Sequence, residues 1–345
     1  MAIDPVSVNK ILVVATKFLG DLIISSPGLK ALRKKYPTAK IVVLVRKEYE
    51  NVLKYNPDID QIISFDFGIR KKKIFERISE EMSFWIKIRK EKFDMVISLQ
   101  PGDRIAFLSR ISGAKYRVAP RKQSFNYLFN LLVDVEEDSI SYLEYYNKII
   151  SAVTGEPITS KPEFFVTEEN EKYIKEYLHC NNYKIDETLI AVHPGASEPT
   201  KIWKAENFAK LINNILQKHN VNVVIIQGPK EEKIVENVFQ KVKNGRVITF
   251  KSEDINLTAA LLKKCKLLVA NDTGTRHLAV ALKIPVIVLM PDDNQKCWNF
   301  YDDSDRHYVI QGKRVTSKTN SLDESFLDGI YVETVFKKIK EVLSK

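Results

Sequence analysis

The sequence has 345 residues, 44% hydrophobic and 28% charged, which excludes an intrinsically disordered chain and favours two globular domains. No apolar run approaches the roughly 18 residues of a transmembrane helix, and no secretory signal opens the chain, so we expect a cytosolic protein. The net charge is +10, and the three widely spaced cysteines, Cys180, Cys265 and Cys297, favour reduced thiols over disulfides or a zinc site.

Short β-branched runs alternate with helical patterns through the first half of the chain, which predicts a parallel sheet with crossover helices. The predicted strands of this half cover residues 11–15, 41–45, 61–65, 94–99 and 116–119, and helices are expected over 22–35 and about 142–153. Residues 155–162 are rich in glycine and proline and predict a linker.

The alternation restarts after this linker. Strands are predicted over 189–192, 221–227, 247–250, 267–270 and 284–290, with helices near 205–218, 231–243 and 257–265. The simplest architecture is therefore α/β, with two doubly wound domains over residues 1–160 and 161–345. In such sheets ligands bind beyond the carboxyl ends of the strands, and the loops of two domains can face each other across a cleft.

The loop after the first predicted strand ends in Gly20-Asp21, at the start of a predicted helix. We expect Asp21 to be exposed there, with its carboxylate kept ionised by the positive end of the helix dipole. Such a carboxylate suits a general base that takes a proton from a hydroxyl, and a helix cap is the alternative role. The single glycine does not match the Gly-x-Gly-x-x-Gly pattern, which disfavours a Rossmann dehydrogenase.

Residues 67–125 contain 15 Lys or Arg and 6 Asp or Glu, so most of the positive charge surplus lies in this segment. A solvated helix face is the ordinary explanation, but concentration in one half of the chain favours a docking surface for an anionic partner. No nucleic-acid-binding motif with interleaved aromatic residues is present, so phosphorylated lipid at a membrane surface is favoured over nucleic acid. The candidate phosphate contacts are Arg70, Lys71, Lys72, Lys73, Arg117, Arg121 and Lys122.

Two loops of the second half carry glycines beside polar residues. His193-Pro194-Gly195 follows the first predicted strand of this half, and Lys201 would be a mobile cation at its edge that neutralises a diphosphate leaving group. Gly228 follows the next strand in a turn suited to close approach of a nucleotide base or ribose, although a plain turn is the simpler explanation.

Small polar residues also follow the apolar run 267–270 and open a helical pattern. The first turn of a helix has unpaired N–H groups and the positive end of the dipole, so it can bind a diphosphate without a metal. Gly274 and Thr275 lie in this turn, Asp272 and Thr273 would cap it or hold a sugar hydroxyl, and we expect His277 to face the same end. A simple helix cap after a buried strand is the alternative.

The acidic pairs Asp292-Asp293 and Asp302-Asp303 do not form a pattern typical of metal ligands. Acidic pairs in loops are usually solvated, and a helix N-terminus together with Lys201 already supplies positive charge. We therefore expect chemistry that needs neither a metal nor another cofactor.

Several segments, in this order and spacing, resemble glycosyltransferase family 9, the ADP-heptose:lipopolysaccharide heptosyltransferases, over nearly the whole chain. These segments are Lys10–Val14, Leu19-Gly20-Asp21, residues 31–37, His193-Pro194-Gly195 with Lys201 and Trp203, and Asp272-Thr273-Gly274 with His277-Leu278-Ala279. Two places depart from the family pattern: Met290-Pro291-Asp292-Asp293 replaces a common Gly-Pro-Thr, and Arg276 stands where a small residue or methionine is common.

The resemblance implies a GT-B fold of two Rossmann-like domains, of which the first binds the acceptor and the second the donor. It implies inverting transfer of heptose from ADP-heptose to a lipopolysaccharide inner-core acceptor, by a cytoplasmic enzyme in peripheral contact with the inner membrane. The ADP-sugar donor is then a co-substrate, and no cofactor is implied. By the same resemblance Asp21 is the base and Lys201 contacts the donor phosphates. The resemblance also implies that the stretch from Asp272 to His277 binds the donor, and we expect His193, Gly195 and Gly228 to contact the donor as well.

Other functions stay open at this point. A nucleotide-sugar epimerase of the same fold would need no acceptor and no basic docking surface. A nucleotide-binding module without catalysis would leave Asp21 and Lys201 without a role. A transferase of this family with another sugar donor, or with a protein hydroxyl as acceptor, would have the same motifs.

Overall fold

The computed structural model describes residues 4–66, 74–135, 140–183, 187–243, 245–291, 297–298, 300–301, 304, 306–312, 327 and 329–344. The chain divides into two compact units, Met1–Glu163 with Lys296–Phe300, and Phe164–Gln295 with Tyr301–Lys345. None of the helices in the described ranges has the length and hydropathy needed to cross a membrane.

The first unit is built on a parallel sheet of six strands, in the order β3-β2-β1-β4-β5-β6. The strands are β1 (Lys10–Val14), β2 (Lys40–Arg46), β3 (Gln61–Phe65), β4 (Met95–Ser98), β5 (Tyr116–Pro120) and β6 (Leu131–Val133). The helices are α1 (Leu19–Ile24), α2 (Ser26–Lys35), α3 (Ile74–Lys90), α4 (Asp103–Ser112) and α5 (Tyr142–Thr154). The central strands are buried along nearly their whole length because helices cover both faces of a parallel sheet.

The second unit repeats this plan, with a parallel sheet in the order β12-β11-β10-β7-β8-β9. The strands are β7 (Thr188–His193), β8 (Val221–Gln227), β9 (Val247–Lys251), β10 (Leu267–Asn271), β11 (Val286–Pro291) and β12 (His307–Gly312). The helices are α6 (Glu168–Cys180), α7 (Ala205–Lys218), α8 (Glu232–Phe239), α9 (Ile255–Leu262), α10 (Gly274–Ala281) and α11 (Val332–Leu343). The expectation of two doubly wound α/β domains is thus confirmed.

In each sheet the strand order reverses at one place, between β1 and β4 in the first unit and between β7 and β10 in the second. The loops that leave these neighbouring strands diverge to opposite sides, which opens a crevice at their carboxyl ends. The motifs predicted after residues 15, 192 and 270 all lie at these two crevices.

The local predictions need two corrections. The helix expected over 22–35 is two helices, α1 and α2, which meet at Ser25 because the ring of Pro27 clashes with the carbonyl four residues before it. The hydroxyls of Ser25 and Ser26 instead donate to the carbonyls of Leu22 and Ile23. Strands β6 and β12 were not predicted, since β6 has only three half-buried residues and β12 mixes buried and exposed positions.

Candidate functional site

The crevice of the first unit is bridged by side chains from the two strand ends that border it. Thr16 follows β1 and Gln100 follows β4, and Nε2 of Gln100 donates a hydrogen bond to Oγ1 of Thr16. Ser98, at the end of β4, donates to the carbonyl of Gln100 at 2.5 Å and holds that turn. The floor of the crevice is therefore polar and fixed.

Asp21 lies in the first turn of α1, directly after β1, as the sequence predicts. Its Oδ2 accepts the backbone N–H of Phe18 at 3.1 Å, and its Oδ1 accepts a hydrogen bond from the hydroxyl of Tyr146 in α5. The sequence predicts an exposed side chain here, and this prediction is wrong: Asp21 is buried, with only 4% of its surface exposed. The reason is that α5 packs against α1 and covers the carboxylate.

Burial also reverses the expected effect on ionisation. Loss of solvent raises the pKa of the Asp21 carboxyl above its usual value, and this outweighs the hydrogen bond from Tyr146, the charge of Lys17 and the N–H of Phe18, which all lower it. The helix dipole at the start of α1 is therefore not the dominant influence. A carboxylate with a raised pKa is a stronger base once it is ionised, which is the property that proton removal requires.

An aromatic cluster holds the hydroxyl that reaches Asp21. The ring of Tyr146 packs edge-on against Tyr145 at 5.7 Å and stacks with Tyr142 at 6.2 Å between centroids. The ammonium of Lys17 lies 4.6 Å from the centre of the Tyr142 ring, and Trp298 packs on the same ring at 4.4 Å. Tyr142 also donates its N–H to the carbonyl of Cys297, so a segment remote in sequence fixes the start of α5.

The predicted phosphate contacts of the first unit differ in their surroundings. Arg117 is half-buried and donates to the carbonyls of Leu128 and Ala114 at 2.8 and 2.7 Å, and burial lowers its pKa. Arg121 is exposed and paired with Asp134, and Lys122 is exposed. The other four, Arg70, Lys71, Lys72 and Lys73, lie outside the described residues.

At the crevice of the second unit, one carboxylate joins the loops after β7 and β8. Nε2 of His193 lies 2.9 Å from Oε2 of Glu231, and the same oxygen accepts the N–H of Gly228 at 2.7 Å. Nδ1 of His193 lies 3.4 Å from the hydroxyl of Thr273, which follows β10. Three residues predicted from separate loops are thus brought together.

Glu231 also explains the two glycines beside it. A Cβ at Gly195 would lie 2.0 Å from the carboxyl carbon of Glu231, and one at Gly228 would lie 2.9 Å from Oε2. Burial alone would raise the pKa of Glu231, but the contact with His193 and the N–H of Gly228 hold it below its usual value. The carboxylate is therefore ionised and pinned between the two loops.

The sequence analysis missed Glu231 as a site residue. Glu231 lies three residues after Gly228, and an acidic side chain at a helix start commonly accepts the N–H of the residue three positions before it. This spacing could have identified Glu231 from the sequence.

Asn271, the last residue of β10, was also missed as a positioning residue. It is fully buried, its Oδ1 accepts the N–H of Trp203 at 3.3 Å, and its Nδ2 donates to the carbonyl of Pro194 at 2.8 Å. Trp203 is fully buried too, and its indole N–H donates to the carbonyl of Ile330. The loop that carries Lys201 is thereby tied to the carboxyl end of β10.

Lys201 ends a short helical turn, Pro199–Lys201, two residues before Trp203. Its side chain is 17% exposed, and its Nζ lies 3.3 Å from Oε1 of Glu198. The expected mobile cation is therefore a partly enclosed one with a carboxylate partner in its own turn.

Helix α10 begins at Gly274 with Thr273 as its N-cap, so the predicted turn is a helix N-terminus. Asp272 precedes it and forms an ion pair with Arg276, with 3.0 Å between Oδ1 and Nε. Arg276 is 1% exposed, and its Nη1 lies 3.4 Å from the sulfur of Met290. Arg276 thus holds the Asp272 carboxylate beside the start of α10, where the N-cap residue Thr273 makes no side-chain capping hydrogen bond.

His277 is enclosed in the second unit. Its Nδ1 lies 3.1 Å from the hydroxyl of Tyr301, and Tyr301 packs on His307 at 5.2 Å between ring centres. Burial, then Arg276 and His307, hold the pKa of His277 well below its usual value, and burial with Arg276 lowers that of His307 to about 3. Both imidazoles are therefore neutral at physiological pH.

Within the described ranges, no group of three or more His, Cys, Asp or Glu residues is arranged to hold a metal ion. Asp292, Asp293, Asp302 and Asp303 lie outside those ranges.

Comparisons with known proteins point to one family. Residues 82–324 match the family described as Glycosyltransferase family 9 (heptosyltransferase). Lipopolysaccharide heptosyltransferase 1 of Campylobacter coli is 24% identical and aligns with 96% of this chain and 98% of its own length.

Solved structures show the same fold. A family 9 glycosyltransferase from Veillonella parvula superposes with a TM-score of 0.81 at 22% identity, over 97% of both chains. A heptosyltransferase of E. coli, solved with ADP-2-deoxy-2-fluoro heptose, gives 0.76 at 17% identity, over 96% of this chain and 99% of its own.

Proposed function

Because the chain belongs to glycosyltransferase family 9, the heptosyltransferase family, we propose that it transfers heptose from ADP-heptose to a lipopolysaccharide inner-core acceptor, with inversion and without a metal ion. The observation that carries this proposal is the buried carboxylate of Asp21, held by Tyr146 at the carboxyl end of β1. A structural helix cap would not need a second, remote hydrogen-bond donor.

In this proposal the second unit binds the donor. The N–H groups of the first turn of α10, at Gly274 and Thr275, and the ammonium of Lys201 would meet the diphosphate. His193, Gly195 and Gly228 lie in the neighbouring loops, where the Glu231 carboxylate fills the space beside both glycines. The relative solved with an ADP-heptose analogue supports this choice of donor.

The first unit would supply the base and bind the acceptor. Asp21 takes the proton of the acceptor hydroxyl as that oxygen forms a bond to the anomeric carbon of the heptose. The bond from this carbon to the diphosphate oxygen breaks, and ADP leaves with the electron pair. Attack opposite the leaving group inverts the anomeric configuration.

Tyr146 is a positioning residue in this scheme. Its hydrogen bond fixes one carboxylate oxygen of Asp21, and the N–H of Phe18 fixes the other, so the carboxylate is held in one orientation. Each oxygen keeps a further lone pair for the acceptor proton.

Positive groups replace a metal in this scheme. Lys201 and the start of α10 stabilise the charge that develops on ADP, and Asp272, His277 and Thr273 complete the donor turn. The acceptor is a phosphorylated, lipid-linked saccharide that meets the basic residues Arg70 to Lys73, Arg121 and Lys122 on the cytoplasmic side of the inner membrane. Arg117, whose donors point to backbone carbonyls, holds the neighbouring turn.

A donor screen followed by a transfer assay tests the proposal. We expect ADP-heptose to bind more tightly than other ADP-sugars and UDP-sugars, and a lipid A precursor that carries inner-core sugars to accept the heptose. Turnover of a UDP-sugar without any acceptor would show an epimerase instead. Transfer only to a protein hydroxyl would keep the family and reject the acceptor.

A further inference from the structure

Helix α3 presents a line of large apolar side chains to solvent. Ile78, Met82 and Ile86 are 55%, 50% and 51% exposed, and their spacing of four places them on one side of the helix. Phe84 and Ile88, on another side, are buried in the core of the first unit with Leu108 of α4. The helix therefore has an ordinary inward side and a second apolar side that no described residue covers.

Other exposed apolar residues lie in the same part of the chain. Of the ten large apolar side chains exposed in the described ranges, five lie between residues 78 and 127. Besides the three of α3 they are Phe107 of α4 and Tyr127, which are joined through Phe125 by ring contacts of 5.0 and 6.1 Å. Helix α4 packs against both α3 and the turn that carries Tyr127.

This part of the molecule is also the basic one. Lys87, Arg89 and Lys90 are exposed in the last turns of α3, and Lys87 and Lys90 border an open groove together with Ile86, Ser83, Lys10 and Glu91. Two nearby acidic groups are compensated, since Glu91 pairs with Lys10 and Glu81 pairs with Arg104, while Glu80 is exposed on the same helix. Cationic groups thus flank the exposed apolar line.

We propose that this α3 face, formed by Ile78, Met82, Ile86, Lys87 and Lys90, docks the protein on a lipid surface with anionic headgroups. The apolar side chains enter the boundary between headgroups and acyl chains, and the lysines meet the headgroup phosphates. Either contribution alone gives weak binding, whereas the two together give stable attachment.

A second copy of the chain is the competing occupant, and the charge pattern argues against it. A symmetric interface brings the same surface of both copies together, so the like-charged Lys87, Arg89 and Lys90 of the two copies would gather in one interface. An anionic bilayer satisfies both the apolar and the basic side chains. The proposal deepens the proposed function, because an acceptor anchored in lipid requires the enzyme to work at that surface.

Co-sedimentation of the full chain with vesicles tests the α3 face, in the absence of donor and acceptor. We expect binding to phosphatidylcholine vesicles that contain phosphatidylglycerol, little binding to phosphatidylcholine alone, and weaker binding in high salt. The triple variant Ile78→Ser, Met82→Ser, Ile86→Ser should bind on the order of tenfold more weakly, and so should Lys87→Gln with Lys90→Gln.

A matched control removes three exposed aromatic residues elsewhere, by Tyr173→Ser, Phe239→Ser and Tyr331→Ser. This variant should bind anionic vesicles like the unchanged protein, and the melting temperatures of all variants should show that they are folded. Unchanged binding by the α3 variants, or equal loss in the control, would overturn the proposal. The proposal would also be overturned if the unchanged protein were a dimer and the α3 triple variant were a monomer that still bound vesicles.

The vesicle experiment and the transfer assay can fail independently of each other. Vesicle binding without any heptose transfer would reject the transferase alone. Transfer to a detergent-solubilised acceptor by a protein that binds no vesicle would reject the α3 face alone.

Discussion

The hydroxyl of Tyr146 donates a hydrogen bond to Oδ1 of Asp21 and so joins α5 to the first turn of α1, across 125 positions of sequence. Both side chains are almost completely buried. A buried ionised carboxylate is unstable unless hydrogen bonds and nearby positive charge compensate for the lost water. Here Tyr146, Lys17 and the N–H of Phe18 compensate only in part, so the pKa of Asp21 stays raised. The following predictions begin from this pair.

Tyr146→Phe should raise the pKa of Asp21 further, because it removes a hydrogen bond that favours the ionised form. The base must be ionised, so activity falls as the pH falls through this pKa, and the acid limb of the kcat profile should move to higher pH. Donor Kd should not change. Tyr145→Phe, one position earlier in the same aromatic cluster, is the matched control, and an identical shift in both variants would contradict the positioning role.

Asp21→Asn should lower kcat by about 10²- to 10⁴-fold, the usual loss when a positioned base is removed. Donor Kd, measured by calorimetry, should stay within a factor of about two, since the proposed donor contacts belong to the other unit. A nearly unchanged kcat with a lower melting temperature would leave Asp21 as a helix cap and end its catalytic assignment.

The stability of this variant should depend on pH in a stated direction. The pKa of Asp21 is raised in the folded protein, so the ionised side chain costs free energy of folding at a pH above its usual value of 3.8. Relative to Asp21→Asn, the unchanged protein should lose free energy of unfolding as the pH rises from that value through the raised pKa. Denaturant unfolding at several pH values measures this, and the opposite slope would mean that the folded pKa is depressed.

Gly195→Ala should weaken donor binding roughly tenfold, because the new Cβ displaces the Glu231 carboxylate from His193 and Gly228, and losing a hydrogen bond to a charged group costs about 1.5–3 kcal/mol. Gly245→Ala is the control, since a Cβ at Gly245 has no atom within 4 Å. Titration of ADP against both variants checks this. Equal ADP affinities would place the nucleotide away from the loops after β7 and β8.

Chelation by EDTA should leave turnover nearly unchanged, because in the proposed mechanism Lys201 and the start of α10 supply the positive charge for the leaving diphosphate. Loss of activity with EDTA, followed by recovery with Mg²⁺ or Mn²⁺, would refute this account of the leaving group.

Charge reversal at Lys71, Lys72 and Lys73 should raise the apparent KM for the acceptor and leave donor Kd unchanged. The interaction is electrostatic, so the effect should shrink with added salt once the screening length falls below about 8–10 Å. Initial rates over a range of acceptor concentrations measure it. If acceptor KM is the same in both proteins, this run is only a solvated surface.

Much of the architecture was predictable because it depends on local pattern. Strand β8 covers the predicted range, and α7 begins and ends at the predicted residues. Both predictions depend only on apolar runs and helical periodicity among neighbouring residues. The family resemblance is confirmed by the match over residues 82–324. Strand β6, with three half-buried residues, carries too weak a pattern to be recognised.

The polar residues that follow strands could also be predicted from the sequence, because a small polar residue after an apolar run marks the end of a strand. Asp21, His193 and Asp272 were identified on that basis. The structure places His193 and Asp272 at strand ends and Asp21 in the first turn of the helix that follows β1. The contacts between these side chains could not be predicted from the sequence. Tyr146 and Asn271 have no local signal, because their partners come from distant elements that meet only when the sheets form.

Local sequence patterns were enough to predict five of the six strands of each parallel sheet and the loops at which polar residues gather. The tertiary structure alone decided that Asp21 is buried rather than exposed, that its pKa rises, and that Glu231 ties His193 to Gly228. The physical reason is that secondary structure follows from neighbouring residues. Burial and the energy of a charge instead depend on every atom that packing brings within a few ångströms.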